Sequence, residues 1–137
     1  MKIFGGAGAV GRRLATDDDV IALVREGLPY KAFERLSEAL DMTVAEVAAT
    51  LSIPRSNVTR RKSEGRFKRE ESEKALRLGR VAVRAEEVLG SMEKAYRWLR
   101  APNPALGGKR PIEMLDVDLG AEKVEDILGR IDYGVYS

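Results

Sequence analysis

Three stretches hold residues whose types and spacing could do chemistry. The first is Gly6-x-Gly8-x-x-Gly11 after the short apolar Lys2-Ile3-Phe4. In a dinucleotide-binding fold such glycines let the backbone approach a pyrophosphate, but they need a buried strand before them, a helix after them and an acid roughly 20 residues on. Asp17, Asp18 and Asp19 come too early for that acid, and no strand–helix–strand pattern follows, so residues 1–15 read as a flexible N-terminal arm. The second stretch is basic: residues 55–69 carry seven Lys or Arg against one Glu. The third is acidic: residues 111–137 carry seven acids against two bases and end in Tyr133-Gly134-Val135-Tyr136-Ser137. Opposite charge blocks on one chain of net charge +2 point to two different partners.

What is missing narrows the chemistry further. The chain has no histidine and no cysteine, which removes disulfides, thiol nucleophiles, imidazole acid–base catalysis and the ordinary zinc sites. An enzyme would have to work with carboxylates or a Ser–Lys pair, and no such paired constellation stands out. No catalytic residues, metal ligands or cofactor are therefore expected. No apolar run approaches the roughly 18 residues of a spanning helix, and Met1-Lys2-Ile3-Phe4 lacks the apolar core of a signal peptide. A cytoplasmic protein without membrane contact is the expectation. With 137 residues and 44% hydrophobic content, the chain can build one good core or two small helical subdomains.

The elements that must position the basic block are helical. Thr16 followed by three aspartates is a capped helix start, and Gly27 stops that helix. Pro29 opens the next, with Phe33, Leu36 and Leu40 facing a core. Thr43-Val44-Ala45-Glu46 is a capping box for a third helix that buries Val47, Ala48 and Leu51. Ser52-Ile53-Pro54 then turns the chain into a helix from Arg55 to Lys62. Two short helices joined by a three-residue turn form a helix-turn-helix, with Ser52 where a turn glycine is usual and free to cap the helix after it.

That last helix can be phased. With Val58 inward, steps of roughly 100° place Ser56, Arg60 and Ser63 on the opposite face, flanked by Asn57 and Thr59. Arg55, Arg61 and Lys62 lie nearer the sides, where phosphates would be, and Arg66 follows one turn on. The expected DNA-binding set is thus Thr43, Arg55, Ser56, Asn57, Thr59, Arg60, Arg61, Lys62 and Arg66, in a domain spanning residues 16–68.

A long helix over 69–89 comes next, reaching about 30 Å. Its stripe includes Leu78, Val81, Ala82 and Ala85, read as partly internal and partly a homodimer interface. Ser91 caps a helix over Met92–Arg100 with Ala95, Trp98 and Leu99 inward. Pro102-Asn103-Pro104-Ala105-Leu106-Gly107-Gly108 cannot continue a helix and reads as an ordered loop. Pro111 starts one further turn, and Gly120-Ala121 leads into a last helix from Glu122 to Arg130. The fold class is all-α: a helix-turn-helix domain, a linking helix, and a small helical domain over 69–137.

The segment from Val88-Leu89-Gly90 through Ala95-Tyr96-Arg97-Trp98-Leu99, Pro102 to Gly108, Pro111-Ile112-Glu113-Met114-Leu115 and Leu128-Gly129-Arg130-Ile131 to Ser137 closely resembles the toxin-binding domain of the Xre/MbcA/ParS antitoxins. The upstream helix-turn-helix resembles the Xre-type DNA-binding half of the same proteins. The resemblance implies a type II toxin–antitoxin role. The partner would be a RES-domain toxin that depletes NAD, with promoter DNA of the same operon as the second partner and a homodimer assembling into a larger complex with toxin. Toxin contact would fall to Glu125, Asp126, Arg130, Asp132, Tyr133, Gly134, Val135, Tyr136 and Ser137, an acidic helix and tail able to complement a cationic cleft built for a pyrophosphate. The alternatives are a stand-alone helix-turn-helix transcription regulator, or a partition-type DNA-binding protein with a C-terminal interaction domain.

Overall fold

The computed structural model describes residues 2–6 and 16–134. Three of its helices begin where a side chain supplies oxygen to unpaired N–H groups. Thr16 Oγ1 accepts the Asp19 N–H at 3.2 Å and Asp19 returns a carboxylate to the Thr16 N–H at 2.9 Å, starting α1 (Asp17–Glu26). Thr43 and Glu46 make the same reciprocal pair at 3.1 Å ahead of α3 (Val44–Thr50), and Ser91 caps α6 (Met92–Arg100). The other helices are α2 (Tyr30–Ala39), α4 (Arg55–Glu64), α5 (Arg69–Leu89) and α7 (Asp118–Asp132). Short 3-10 turns stand at Lys2–Phe4, Pro104–Leu106 and Pro111–Met114. No strand occurs among the described residues, so the protein is all-α; one isolated bridge pairs Pro29 with Arg66.

The chain divides into two units, Met1–Leu76 and Arg77–Ser137, so the division falls inside α5 and not at its start. The first two turns of α5 belong to the first unit for a specific reason. Ser72, fully buried, accepts the Leu28 N–H at 2.8 Å and donates to the Lys68 carbonyl at 2.8 Å. Beside it, the Phe67 N–H bonds Leu28 O and the Tyr30 N–H bonds Gly65 O, both at 2.9 Å. Phe67 stacks on Phe33 with ring centroids 4.5 Å apart. Gly27 is required at this junction: its φ is +94°, and a Cβ there would sit 2.3 Å from the Phe67 carbonyl oxygen. Leu23, Leu36, Leu40, Val47 and Leu51 fill the core. Ile3 and Phe4 are buried too, in a turn packed on α2, so this part of the expected arm is ordered; residues 7–15 lie outside the described residues.

The turn between α3 and α4 uses Ser52 at φ +58°, the left-handed conformation a glycine would take at no cost. Ser52 does not cap α4 as expected. Pro54 occupies the cap position, and no side chain serves that end.

In the second unit the loop after α6 is held by its own polar groups. Asn103 Oδ1 accepts the Ala105 N–H at 2.9 Å, its carbonyl accepts Leu106 and Gly108 N–H groups, and its N–H donates to Lys109 O. Asn103 and Leu106 are both buried, as an ordered loop requires. Trp98 is only half-buried, while Ala95 and Leu99 carry the core face of α6. Helix α7 begins at Asp118, four residues before the expected Glu122. Gly120 reads as a helix breaker in sequence but sits inside the helix, because a Cβ at that position would fall 1.8 Å from the Met114 carbonyl oxygen. Its role is close packing. Ala121, Val124, Ile127 and Leu128 form the buried face.

Leu78, Val81, Ala82 and Ala85 are each no more than 1% exposed within a single chain. The expected dimer stripe is therefore core. Arg77 bonds Asp118 at 2.9 Å and Arg84 bonds Asp132 at 3.2 Å, tying α7 to α5 at both ends.

Candidate functional site

Helix α4 turns Asn57, Val58 and Arg61 toward its own unit and Arg55, Ser56, Thr59, Arg60 and Lys62 toward solvent. Arg61 is the correction. It is 5% exposed, and its Nε donates to Glu71 Oε1 at 2.7 Å while Nη1 donates to Glu64 at 2.8 Å. Glu71 also accepts the Asn57 amide at 3.1 Å and the Lys68 N–H at 2.7 Å. Burial pushes the Glu71 carboxyl upward, but the hydrogen bonds from Arg61, Lys68 and Asn57 outweigh it and hold the group below its ordinary value. The bond to Glu71 likewise raises Arg61, so both ends stay charged. Arg61 and Asn57 are consequently structural: they clamp α4 to the start of α5 and leave no guanidinium for DNA.

Two further residues of the expected set are partly committed. Thr43 spends its hydroxyl on the α3 cap. Arg66 stays exposed but gives one Nη1–H to Gly27 O at 2.7 Å. The side chains of Arg55, Arg60, Lys62, Lys68 and Arg69 are exposed and make no ion pair or hydrogen bond among the described residues. Three of these cations, Arg55, Arg60 and Lys62, stand on the exposed side of α4, a pattern suited to contact with a phosphate backbone. Between α2, α3 and α4 lies an open cleft of about 640 Å³, floored by Val44, Ala45, Ala48 and Val58 and rimmed by Arg55, Thr59 and Lys62.

The second surface is the solvent side of α7. Glu122, Glu125, Asp126 and Arg130 are exposed along it, and Tyr133 at its end is 83% exposed. Tyr133 is therefore not part of the domain's own core. Asp132 is exposed but paired with Arg84, and Gly134 follows at φ +72°. Val135, Tyr136 and Ser137 lie outside the described residues. Sequence reasoning missed an apolar member of this face, Leu119, 66% exposed, and the exposed Val117 at the cap position just before the helix, 55% exposed. The signal was present: nine residues at roughly 100° each put Leu119 opposite the buried Leu128.

Residues 19–80 match the Xre-like antitoxin helix-turn-helix family, and residues 84–134 match the C-terminal toxin-binding domain of the Xre/MbcA/ParS antitoxins. A protein named Antitoxin Xre from Photorhabdus laumondii is 30% identical over 118 residues, covering 85% of this chain and 80% of its own. The chain belongs to the Xre antitoxin family. Another Antitoxin Xre, from Yersinia enterocolitica, is 38% identical over 68% of this chain; this chain spans 64% of that relative's length. A Sphingobium protein named Prs ADP-ribosylating antitoxin is 26% identical over 90% of this chain and 84% of its own. Within the Xre antitoxin the two family matches meet inside α5, between residues 80 and 84, close to where the chain divides into its two units. The cationic face of α4 thus falls in the helix-turn-helix match, and the acidic face of α7 with Tyr133 falls in the toxin-binding match. No helix among the described residues is long and apolar enough to cross a membrane.

Proposed function

We propose that this Xre antitoxin neutralises a RES-domain, NAD-depleting toxin with its C-terminal region and represses its own operon through α4. The observation that carries this reading is the sorting of charge and exposure between the two family-matched regions. Unpaired cations line α4, whereas α7 presents Glu122, Glu125 and Asp126 and ends in an unburied tyrosine. A toxin that binds NAD must accept a pyrophosphate, and a cleft built for that anion attracts an acidic helix with an aromatic anchor. The name of the Sphingobium relative, which ties that protein to ADP-ribosylation, supports NAD-based chemistry in the toxin. Reading inverted half-sites needs two copies of α4, so operator binding is the work of a homodimer whose interface lies outside the Leu78–Ala85 stripe. A stand-alone regulator or partition protein would use the same α4 but leaves the exposed Tyr133 without a task.

The test is co-expression with the adjacent open reading frame in a growth assay. The full chain restores growth and co-purifies with the toxin. A chain lacking residues 133–137 keeps its helical circular dichroism yet fails to rescue. Rescue by the truncated chain would refute the role of the tail; no rescue by the full chain would refute the antitoxin–toxin pairing itself.

A further inference from the structure

Thr59 lies on the solvent face of α4, but its hydroxyl is already engaged: Oγ1 donates to the Arg55 carbonyl one turn back at 3.3 Å. A threonine bonded this way has no hydroxyl hydrogen left for a base edge and presents its methyl group. Thr59 lines the cleft between α2, α3 and α4, whose wall is mostly apolar through Val44, Ala45, Ala48, Ala49, Ile53 and Val58, with Tyr30 and Glu34 of α2 and Thr43 adding polar groups. Arg55 and Lys62, without a side-chain partner among the described residues, line the same cleft as Thr59. An apolar notch between two cations on a helix face is an odd fit for phosphate alone, which wants donors throughout. It fits a place in the major groove where a nonpolar group projects from a base while the flanking phosphates meet the cations. The thymine C5-methyl is that group.

We infer that Thr59 and the apolar notch beside it read a thymine C5-methyl in each operator half-site, with Arg55 and Lys62 holding the adjacent phosphates. This rests on the DNA-binding part of the proposed function and adds the chemistry of one specificity contact. Arg60 and Ser56, on the neighbouring side of α4, remain for hydrogen-bonded readout. Thr59 thereby offers a base edge its methyl group, and its hydroxyl oxygen only as an acceptor.

The full-length protein is titrated against the duplex immediately upstream of its own coding sequence, made once with thymine and once with uracil, which differ only in the methyl. One buried methyl group is worth about a four-fold change in affinity, so the uracil duplex binds about four-fold more weakly per contact. Thr59→Ser keeps the hydroxyl and its bond to Arg55 while deleting the methyl. It weakens binding to the thymine duplex by a similar factor and loses most of the discrimination between the two duplexes. Thr59→Val, which keeps a methyl and drops the hydroxyl, retains the discrimination. Equal affinity of the wild-type protein for both duplexes, or full discrimination by Thr59→Ser, overturns the methyl site while leaving DNA binding intact. No complex with either duplex at low salt overturns the operator reading and the methyl site together.

Discussion

Replacing Glu71 by alanine tests whether α4 is held from below by one carboxylate. In the folded chain Glu71 accepts four hydrogen bonds, two from Arg61, one from Asn57 and one from the Lys68 backbone. The side chains of the central pair are only 6% and 9% exposed, so removing the carboxylate leaves a guanidinium with little water to replace it. Breaking such a pair from one side costs about 3–5 kcal/mol. Glu64 stays 2.8 Å from the same guanidinium and is 46% exposed, which puts the loss near the lower end, about 3 kcal/mol. In a unit of this size each kcal/mol moves the midpoint by about 4–8 °C, so a fall of about 12 °C or more is expected in thermal melts followed by circular dichroism. The double variant Arg61→Met, Glu71→Leu recovers most of the loss, because an apolar pair of similar volume carries no desolvation cost. The pH dependence has a definite sign. The Glu71 carboxyl lies below its ordinary value of 4.5 in the folded state, so its contribution is complete above about 4.5 and disappears as pH falls through the lower, folded value. Glu71→Ala should therefore flatten the acid limb of the stability profile. A loss under about 1 kcal/mol, the range of exposed pairs, would refute the clamp.

Gly120→Ala puts a methyl 1.8 Å from the Met114 carbonyl oxygen and forces α7 away from the preceding turn. A loss of about 2 kcal/mol or more is expected in urea titrations read by the single tryptophan, Trp98, which lies in the same unit; an unchanged midpoint would mean that the turn yields without cost. Ser52→Gly relieves a left-handed residue at φ +58° and should raise stability by about 0.5–1 kcal/mol, after the extra chain entropy of glycine is subtracted. A lower midpoint would show that Ser52's own bonding outweighs the backbone relief.

Local signals were legible where the cause is local. The Thr16 and Thr43 caps, the ends of α5 and α6, and the ordered Asn103 loop depend on residues within a few positions of one another, and each stands where the spacing puts it. Helix α7 was foreshortened because Gly120 has two opposite readings, helix breaker and close-packing residue. Only the position of Met114 O decides between them. The apolar stripe of α5 failed as a dimer surface for a related reason. Periodicity shows that Leu78, Val81, Ala82 and Ala85 share a face, but says nothing of whether the cover comes from a second copy or from the same chain.

Charge is the harder case, and Arg61 shows why. In sequence it is one of seven cations in a basic run, indistinguishable from Arg60 beside it. A shift of one residue, roughly 100° around the helix, separates a guanidinium in solvent from one sealed against Glu71. The phase could have been set correctly from the inward pattern Asn57, Val58, Arg61, but that requires accepting an arginine as a core-facing residue, which is sensible only once a carboxylate is known to wait there. The same clamp lets α4 carry a run of like charges at modest cost. Arg61 is neutralised by Glu71 at the start of α5 and by Glu64 at the end of α4, so the repulsion that remains is among side chains free to spread into water.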